Sequence, residues 1–183
     1  MKKDFIKILK KSGGVGVLPT DTLYGLVGRA LDKKAVERIY KLKGRNKNKP
    51  FIILISSLKD LKLFKVKHSH ILKNVGMLKK IWPGKISVIL PCLSKKFVYL
   101  HRGKKSLAFR LPNKKSIISI LKKTGPLIAP SANPESKKPA YTITQARRYF
   151  GDKADFYVNV GCRKIKPSTL VFLTSRGYVT IRS

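Results

Sequence analysis

The sequence predicts an α/β domain built on a mixed, twisted sheet. Segments with the alternating or β-branched pattern of strands are interleaved along the chain with segments of helical periodicity. No internal repeat and no low-complexity linker separates them, so the 183 residues are expected to form one domain, residues 1–183. A hydrophobic fraction of 43% is sufficient for a core and argues against disorder, despite a formal net charge of +34.

The helices are predicted from capping residues and helical spacing. Asp4–Lys11 reads as a short amphipathic helix that Gly13 and Gly14 terminate. Asp32 is a suitable N-cap for a helix through Leu42, which Gly44 ends. Further helices are predicted at Ser57–Leu63, at Ser69–Ile81 before Trp82-Pro83-Gly84, at Ser116–Lys123, and from a cap at Thr142 or Thr144 to Phe150.

The strands are predicted from short apolar runs rich in β-branched residues and bounded by turn residues. They are Val15–Leu18, Phe51–Ile55, Ile86–Leu90, Leu107–Leu111, Leu127–Ala129, Phe156–Val160, Leu170–Leu173 and Tyr178–Ile181. Residues 19–26, which follow the first strand, are predicted to be a turn-rich segment.

The charge of the chain has two explanations. Forty-two basic residues against eight acidic ones are typical of proteins that bind nucleic acid or another polyanion. Lysines greatly outnumber arginines, however, and an A/T-rich genome also produces such an excess at surface positions that tolerate substitution. The net charge alone therefore decides no function.

The sequence favours a cytoplasmic protein that makes no membrane contact. Apolar residues near the N-terminus alternate with lysines and do not form the core of a signal peptide. The longest clean apolar run, Phe51–Ile55, is far too short to cross a bilayer. Cys92 and Cys162 lie far apart without metal-type or redox spacing, so both are expected to be reduced thiols.

Residues 19–25 concentrate polar groups at the end of the first predicted strand. Two threonines, an aspartate, a tyrosine and a glycine follow Pro19 within seven positions. Such a segment can arrange backbone N–H groups and side-chain oxygens around a small polar ligand. It can equally be an ordinary turn whose Thr and Asp side chains bond their own backbone.

Lys43-Gly44-Arg45 marks a helix end that carries two different cations, with Lys47 and Lys49 behind it. An ammonium is a compact charge and a guanidinium a planar fork, and together they suit a polyphosphate. The glycine between them lets both heads converge if the chain turns there. The alternative is a solvated basic loop.

Arg110 lies among apolar residues on a strand that ends at Pro112. Alternation places its side chain on the face opposite Phe109. An arginine in such a position either pairs with one of the few acidic residues or binds an anionic ligand.

Ser131 and Asn133 follow the predicted strand Leu127–Ala129. Ligands of α/β proteins bind at the carboxyl ends of strands. Two residues apart in an extended segment, these side chains would point the same way and could read a nucleotide or an amino acid. A plain turn is the other interpretation.

Six motifs occur in a fixed order along the chain. They are Pro19–Leu26, Lys43-Gly44-Arg45, Trp82-Pro83-Gly84, Ala108–Pro112, Pro130–Asn133 and Ser168-Thr169. Together they resemble one family, the YrdC-type threonylcarbamoyl-AMP synthases, in its compact form, and the resemblance covers residues 13–182. It implies an α/β domain whose twisted sheet curls round a deep basic cavity, the YrdC-like fold.

The resemblance also implies an activity. Members of this family join L-threonine, bicarbonate and ATP into threonylcarbamoyl-adenylate and release pyrophosphate. The product serves the modification of adenosine 37 in tRNAs that read codons beginning with A. By this resemblance a separate transferase is a transient partner, a weak tRNA contact is possible, and Mg²⁺ is carried by ATP without a metal site on the protein.

Roles for individual residues are implied in the same way. The threonine-binding residues would be Thr20, Arg110 and Thr169. The nucleotide-binding residues would be Lys43, Arg45, Ser106, Ser131, Asn133, Thr142, Ser168 and Arg182. Of these, the catalytic residues would be Lys43, Arg45, Ser131 and Asn133.

A nucleic-acid-binding module acting in rRNA or tRNA maturation is the alternative function. The overall charge favours it. Its weakness is that aromatic residues are not interleaved with basic ones in a pattern suited to stacking on bases.

Overall fold

Nine strands form one mixed sheet in a computed structural model that describes residues 4–174 and 177–182. The strands are β1 (Val15–Pro19), β2 (Tyr24–Arg29), β3 (Ile52–Leu54), β4 (Ile86–Pro91), β5 (Ser106–Arg110), β6 (Leu127–Ile128), β7 (Phe156–Tyr157), β8 (Thr169–Thr174) and β9 (Gly177–Arg182). Their order across the sheet is β7-β1-β2-β6-β3-β5-β4-β8-β9. The pairs β1–β7, β3–β5 and β4–β8 are parallel and the others antiparallel, which confirms the predicted mixed α/β sheet.

One helix precedes β1, and the others occupy connections between strands. They are α1 (Phe5–Lys10), α2 (Lys33–Lys43), α3 (His68–Ile81), α4 (Val98–His101), α5 (Lys115–Thr124) and α6 (Ile143–Phe150), with 3₁₀ turns at Leu58–Phe64, Lys95–Phe97 and Gly151–Lys153. None of the helices in the described part of the chain combines the length and the apolar character that crossing a membrane requires.

The ends of α2 are set by its own sequence, as predicted. The Asp32 carboxylate accepts the backbone N–H groups of Lys34 and Ala35, which have no partner within the helix. At the other end Gly44 adopts a left-handed conformation with φ +57°, which glycine enters without a steric penalty. The helix therefore stops one residue before Arg45.

Two strand predictions are wrong. Residues 19–26 contain a turn of only four residues, because β2 already begins at Tyr24 and pairs with β1. The strand was missed because it contains glycines, which are uncommon in strands. Gly28 is a glycine because α2 packs closely against it: a Cβ at this position would lie 3.1 Å from the Cβ of Ala35. The strand predicted at Phe156–Val160 ends at Tyr157, where the chain leaves the sheet.

The two faces of the sheet are covered unequally. One face carries the larger core, in which Leu26, Ile53, Val88 and Phe109 pack against residues of α2, α3, α4 and α6. The opposite face carries a smaller core, formed by Leu18, Val27, Leu54 and Leu127 with Leu9 of α1 and Ile117 and Leu121 of α5. Beyond that core the same face is open, and its side chains become exposed towards β9, with Phe172 46% and Val179 54% accessible.

Candidate active site

A cleft lies on the open part of the second face, next to the smaller core. Its walls come from the β1–β2 turn, the ends of β3 and β5, the loop after β6, and the start of β8. Six of the residues predicted for the site line it: Thr20, Arg45, Arg110, Ser131, Ser168 and Arg182. Residues that lie far apart in the sequence thus line one cleft.

The register of the sheet explains how Arg110 and Arg182 reach the cleft. Side chains two apart on a strand share a face, so Arg110 lies on the same side as Ala108, which also lines the cleft. Arg182 is paired with Leu170, another lining residue. Phe109 points the opposite way into the larger core and is fully buried, as alternation predicted.

Arg110 forms a buried ion pair with Asp21. One guanidinium nitrogen lies 2.9 Å from a carboxylate oxygen of Asp21, and each side chain is 4% exposed. Burial lowers the pKa of Arg110, and the Asp21 carboxylate opposes that shift. Arg110 Nε and Asp21 Oδ2 have no hydrogen-bond partner within the described residues. Arg110 is therefore paired with an acid and at the same time borders the cleft.

Arg45 and Arg182 add two further cations to the cleft. Arg45 donates from Nε to the carbonyl of Lys49 and lies 5.3 Å from the ring centre of Phe51. Arg182 donates to the carbonyl of Ser168. Burial lowers the pKa of Arg45, and the charge of Arg182 lowers the pKa of both Arg45 and Arg110. The described residues that line the cleft include no carboxylate.

Lys43, unlike Arg45, does not line the cleft. Its side chain is buried, and its ammonium donates to the backbone carbonyls of Ser131 and Asn133 at 2.7 and 2.5 Å. Burial, followed by the charge of Arg45, lowers the pKa of Lys43 to about 7. Lys43 thus supports from beneath the loop that presents Ser131 to the cleft.

Asn133 also differs from expectation, because its segment is not extended. The Asn133 N–H donates to the carbonyl of Ser131, which closes a tight turn. The Asn133 side-chain amide donates to the carbonyls of Pro134 and Lys137. Asn133 therefore holds its own loop together, whereas Ser131 lines the cleft.

Three other predicted residues lie outside the cleft lining. Thr142 is the N-cap of α6, where its hydroxyl accepts the N–H of Gln145 in a capping box. Ser106 opposes Pro91 on β4, and Thr169 opposes Ile86 at the start of β8. Their roles in binding threonine or nucleotide stay predictions.

Thr20 combines the two roles that its sequence context suggested. Its hydroxyl donates to the carbonyl of Leu23 and accepts the N–H of Thr22, so it closes the β1–β2 turn. The same residue lines the cleft. The turn thus has the hydrogen bonds of an ordinary turn, and the β1–β2 hairpin brings it to the cleft.

Ser87, which was not predicted, contacts the cleft residue Ser168 from behind the lining. It is fully buried on β4, and its hydroxyl lies 3.0 Å from that of Ser168. A serine in the middle of the apolar strand Ile86–Pro91 was the available signal, because a buried hydroxyl needs a polar partner. The pairing of Asp21 with Arg110 was not predicted either. The available signal was that Asp21 is one of only eight acidic residues in the chain.

Comparisons with known proteins agree with the motifs. A family model named Sua5/YciO/YrdC and described as "Telomere recombination" matches residues 8–183. The threonylcarbamoyl-AMP synthase of Marinobacter nauticus is 32% identical over 146 residues, which cover 79% of this chain and 76% of that protein. The threonylcarbamoyl-AMP synthase of Pyrococcus abyssi is 30% identical over 94% of this chain, and the match spans 51% of that longer protein.

A solved structure gives the same relationship in three dimensions. The Sua5 protein of Pyrococcus abyssi complexed with L-threonine is similar with a TM-score of 0.82 and 27% identity, over 97% of this chain and 52% of that one. The chain thus spans about half the length of this relative. With a model that matches nearly the whole chain and a relative above 30% identity, the chain belongs to the Sua5/YciO/YrdC family.

Proposed function

We propose that this protein is a threonylcarbamoyl-AMP synthase, which forms threonylcarbamoyl-adenylate from L-threonine, bicarbonate and ATP and releases pyrophosphate. The observation that carries the proposal is the convergence of Arg45, Arg110 and Arg182 on one cleft. Relatives with this activity match most of the chain, and a similar structure holds L-threonine.

The chemistry requires three anionic groups to meet. Bicarbonate takes up a proton and loses water to give carbon dioxide, the threonine amine adds to it as a carbamate and gives up that proton, and a carbamate oxygen attacks the α-phosphorus of ATP. The new O–P bond forms as the bond from the α-phosphorus to the bridging oxygen breaks, so the electron pair leaves with pyrophosphate. In a poorly solvated site the repulsion among the carboxylate, carbamate and triphosphate amounts to several kcal/mol.

The cations of the cleft offset this repulsion. Arg110 binds the threonine carboxylate, while Arg45 and Arg182 face the nucleotide phosphates. Ser131 lines the same cleft, and its loop is held by hydrogen bonds from Lys43 and Asn133. No side-chain nucleophile is needed, so catalysis consists of positioning and of stabilising charge that moves onto pyrophosphate.

The proposal includes the metal and the partners of the reaction. Mg²⁺ enters with the triphosphate, in keeping with a cleft lined by cations and neutral oxygens. A separate transferase receives the adenylate and modifies adenosine 37 of tRNAs that read codons beginning with A. The formal charge of +34 supports a weak contact with that tRNA.

Pyrophosphate release tests the proposal directly. Incubation with ATP, Mg²⁺, bicarbonate and L-threonine is expected to release pyrophosphate, and omission of threonine or of bicarbonate abolishes it. Arg45→Ala is expected to lose the activity with an unchanged circular dichroism spectrum, because Arg45 contributes to the cleft and not to either core. Absence of threonine-dependent pyrophosphate, together with tight and salt-sensitive RNA binding, would favour the RNA-binding module instead.

A further inference from the structure

The segment that joins β7 to β8, residues 158–168, is named the crossover segment. The two strands lie seven places apart in the sheet order. The crossover segment therefore connects two strands that are far apart in the sheet order, and it forms no regular secondary structure.

Tyr24 fastens the crossover segment near its start. Its hydroxyl accepts the N–H of Val160 at 3.0 Å and donates to the carbonyl of Gly161 at 2.8 Å. The side chain is fully buried, so the hydroxyl is held in a fixed position by the core around the ring. One phenol thus bonds the backbone of two consecutive residues of the segment.

Arg163 fastens the same segment two residues later. Its guanidinium donates from Nε and Nη2 to the carbonyl of Thr22 at 3.3 and 3.2 Å. Its backbone N–H donates to the carbonyl of Tyr141 at 2.7 Å. The β1–β2 hairpin therefore contacts the crossover segment at two points, through Thr22 and through Tyr24.

The β1–β2 hairpin and the end of the crossover segment both line the cleft. Thr22 and Tyr24 line it, and so do Pro167 and Ser168 at the end of the crossover segment. The Ser168 carbonyl accepts a hydrogen bond from Arg182. Because three residues separate Arg163 from Pro167, the fastening at Val160–Arg163 limits where Pro167 and Ser168 can lie.

We propose that Tyr24 and Arg163 are positioning residues that hold the crossover segment and thereby fix the Pro167–Ser168 wall of the cleft. The consequence for catalysis rests on the proposed function, in which this wall and Arg182 face the nucleotide. Neither residue touches the reacting atoms. Both act through the segment that they hold.

The fastening itself is tested by proteolysis of the native protein. Lys164 is exposed in the middle of the crossover segment, so the protease Lys-C can cut the bond after it when the segment detaches. Tyr24→Phe removes only the hydroxyl, and we expect this bond to be cut about five-fold faster. Mass spectrometry of the fragments identifies the bond.

A matched control is available in Tyr99→Phe. The Tyr99 hydroxyl also donates to a backbone carbonyl, that of Ala30, but it has no contact with the crossover segment. Cleavage after Lys164 is expected at the wild-type rate in this variant. A similar acceleration in both variants would overturn the proposal, because it would reflect general loosening.

Kinetics test the effect on the cleft. In Tyr24→Phe and in Arg163→Gln we expect the KM for ATP to rise about five-fold while kcat changes by less than about two-fold, since the wall is displaced but the three arginines remain. Wild-type cleavage rates and wild-type KM values in both variants would overturn the proposal. Should Tyr24→Phe fail to fold, Arg163→Gln alone decides, because Arg163 lies outside both cores.

The two proposals fail in different ways. If the wild-type protein releases no threonine-dependent pyrophosphate, the proposed function is wrong, and accelerated cleavage after Lys164 still supports the fastening. If pyrophosphate is released normally and the variants are cut like the wild type, the fastening is wrong and the proposed function stands.

Discussion

Arg110 has one partner in the protein, the buried carboxylate of Asp21, and the proposed function gives it a second, the threonine carboxylate. With Asp21 beside it, the guanidinium is held in place without ligand. Its Nε is buried and has no hydrogen-bond partner among the described residues. Substitutions can separate the contribution of Arg110 to folding from the binding role that is proposed for it.

Arg110→Met is expected to destabilise the fold by about 3 kcal/mol, because it leaves the Asp21 charge buried without a partner. The double variant Asp21→Asn with Arg110→Met removes both charges and should recover most of that loss. Urea unfolding measures both values. Threonine-dependent pyrophosphate release should stay absent in the double variant, and its return there would show that Arg110 does not bind the substrate.

Lys43 makes stability depend on pH in a defined direction. Its folded-state pKa of about 7 lies below the ordinary value of 10.5, so between these values the unfolded chain binds a proton that the folded protein lacks. The free energy of unfolding therefore increases as the pH is raised from about 7 towards 10.5. We expect the free energy of unfolding of the wild type to rise from pH 7 to pH 9 relative to Lys43→Met.

Urea unfolding of both proteins at the two pH values checks this expectation, because other ionisations are common to both and cancel in the difference. Parallel pH dependences would mean that the Lys43 ammonium stays fully charged on the Ser131 and Asn133 carbonyls throughout. In either case Lys43→Met should lose activity, since the loop that presents Ser131 loses its support.

Single elements were predictable where the signal lies within a few residues. Asp32, Gly44 and Thr142 mark helix ends through contacts with their own neighbours, and all three act as the sequence indicates. The strand β2 was missed because Gly28 is required by the close approach of α2, a contact that local propensity does not contain. Local chemistry thus predicts where elements end better than it predicts glycine-containing strands.

Thr142 allows a test at the scale of one helix. As N-cap of α6 its hydroxyl accepts the N–H of Gln145, so Thr142→Ala is expected to cost about 1 kcal/mol of stability. Thr144→Ala is the matched control, since Thr144 is exposed within the same helix and caps nothing among the described contacts. Thermal and urea unfolding give the comparison.

The same variant separates the capping role from the predicted role in nucleotide binding. If Thr142 acts only as a cap, the KM for ATP stays at the wild-type value in Thr142→Ala. A rise of about ten-fold in that KM, without a matching rise in Thr144→Ala, would establish a nucleotide contact that the cleft lining does not show.

At the scale of the whole molecule the arrangement of the site depends on topology. The order of strands brings Arg110 on β5 and Arg182 on β9 to one face, and the end of α2 adds Arg45. The motifs indicated these residues but not which of them meet, because that depends on pairings between distant strands. Neither the burial of Lys43 under the Ser131 loop nor the pairing of Arg110 with Asp21 could be deduced from spacing.

The excess charge also acts on the whole molecule. Within residues 4–174 and 177–182, five of the eight acidic residues form ion pairs, namely Asp21, Asp32, Glu37, Glu135 and Asp155. Most of the 42 basic residues therefore have no acidic partner available. Added salt weakens both the few attractions and the many repulsions between exposed charges, and the repulsions are far more numerous.

We therefore expect the melting temperature to rise by several degrees when NaCl is increased from about 20 to about 200 mM, since the Debye length shrinks from roughly 20 Å to below 10 Å over this range. Sucrose at matched osmolality does not screen charges and serves as the control. Pyrophosphate, at concentrations too low to alter the ionic strength, tests for binding of an anion in the cleft: it should stabilise the wild type and not Arg45→Ala. A melting temperature that is flat or falls with NaCl would show that the ion pairs outweigh the repulsion, and that the lysine excess costs the fold nothing.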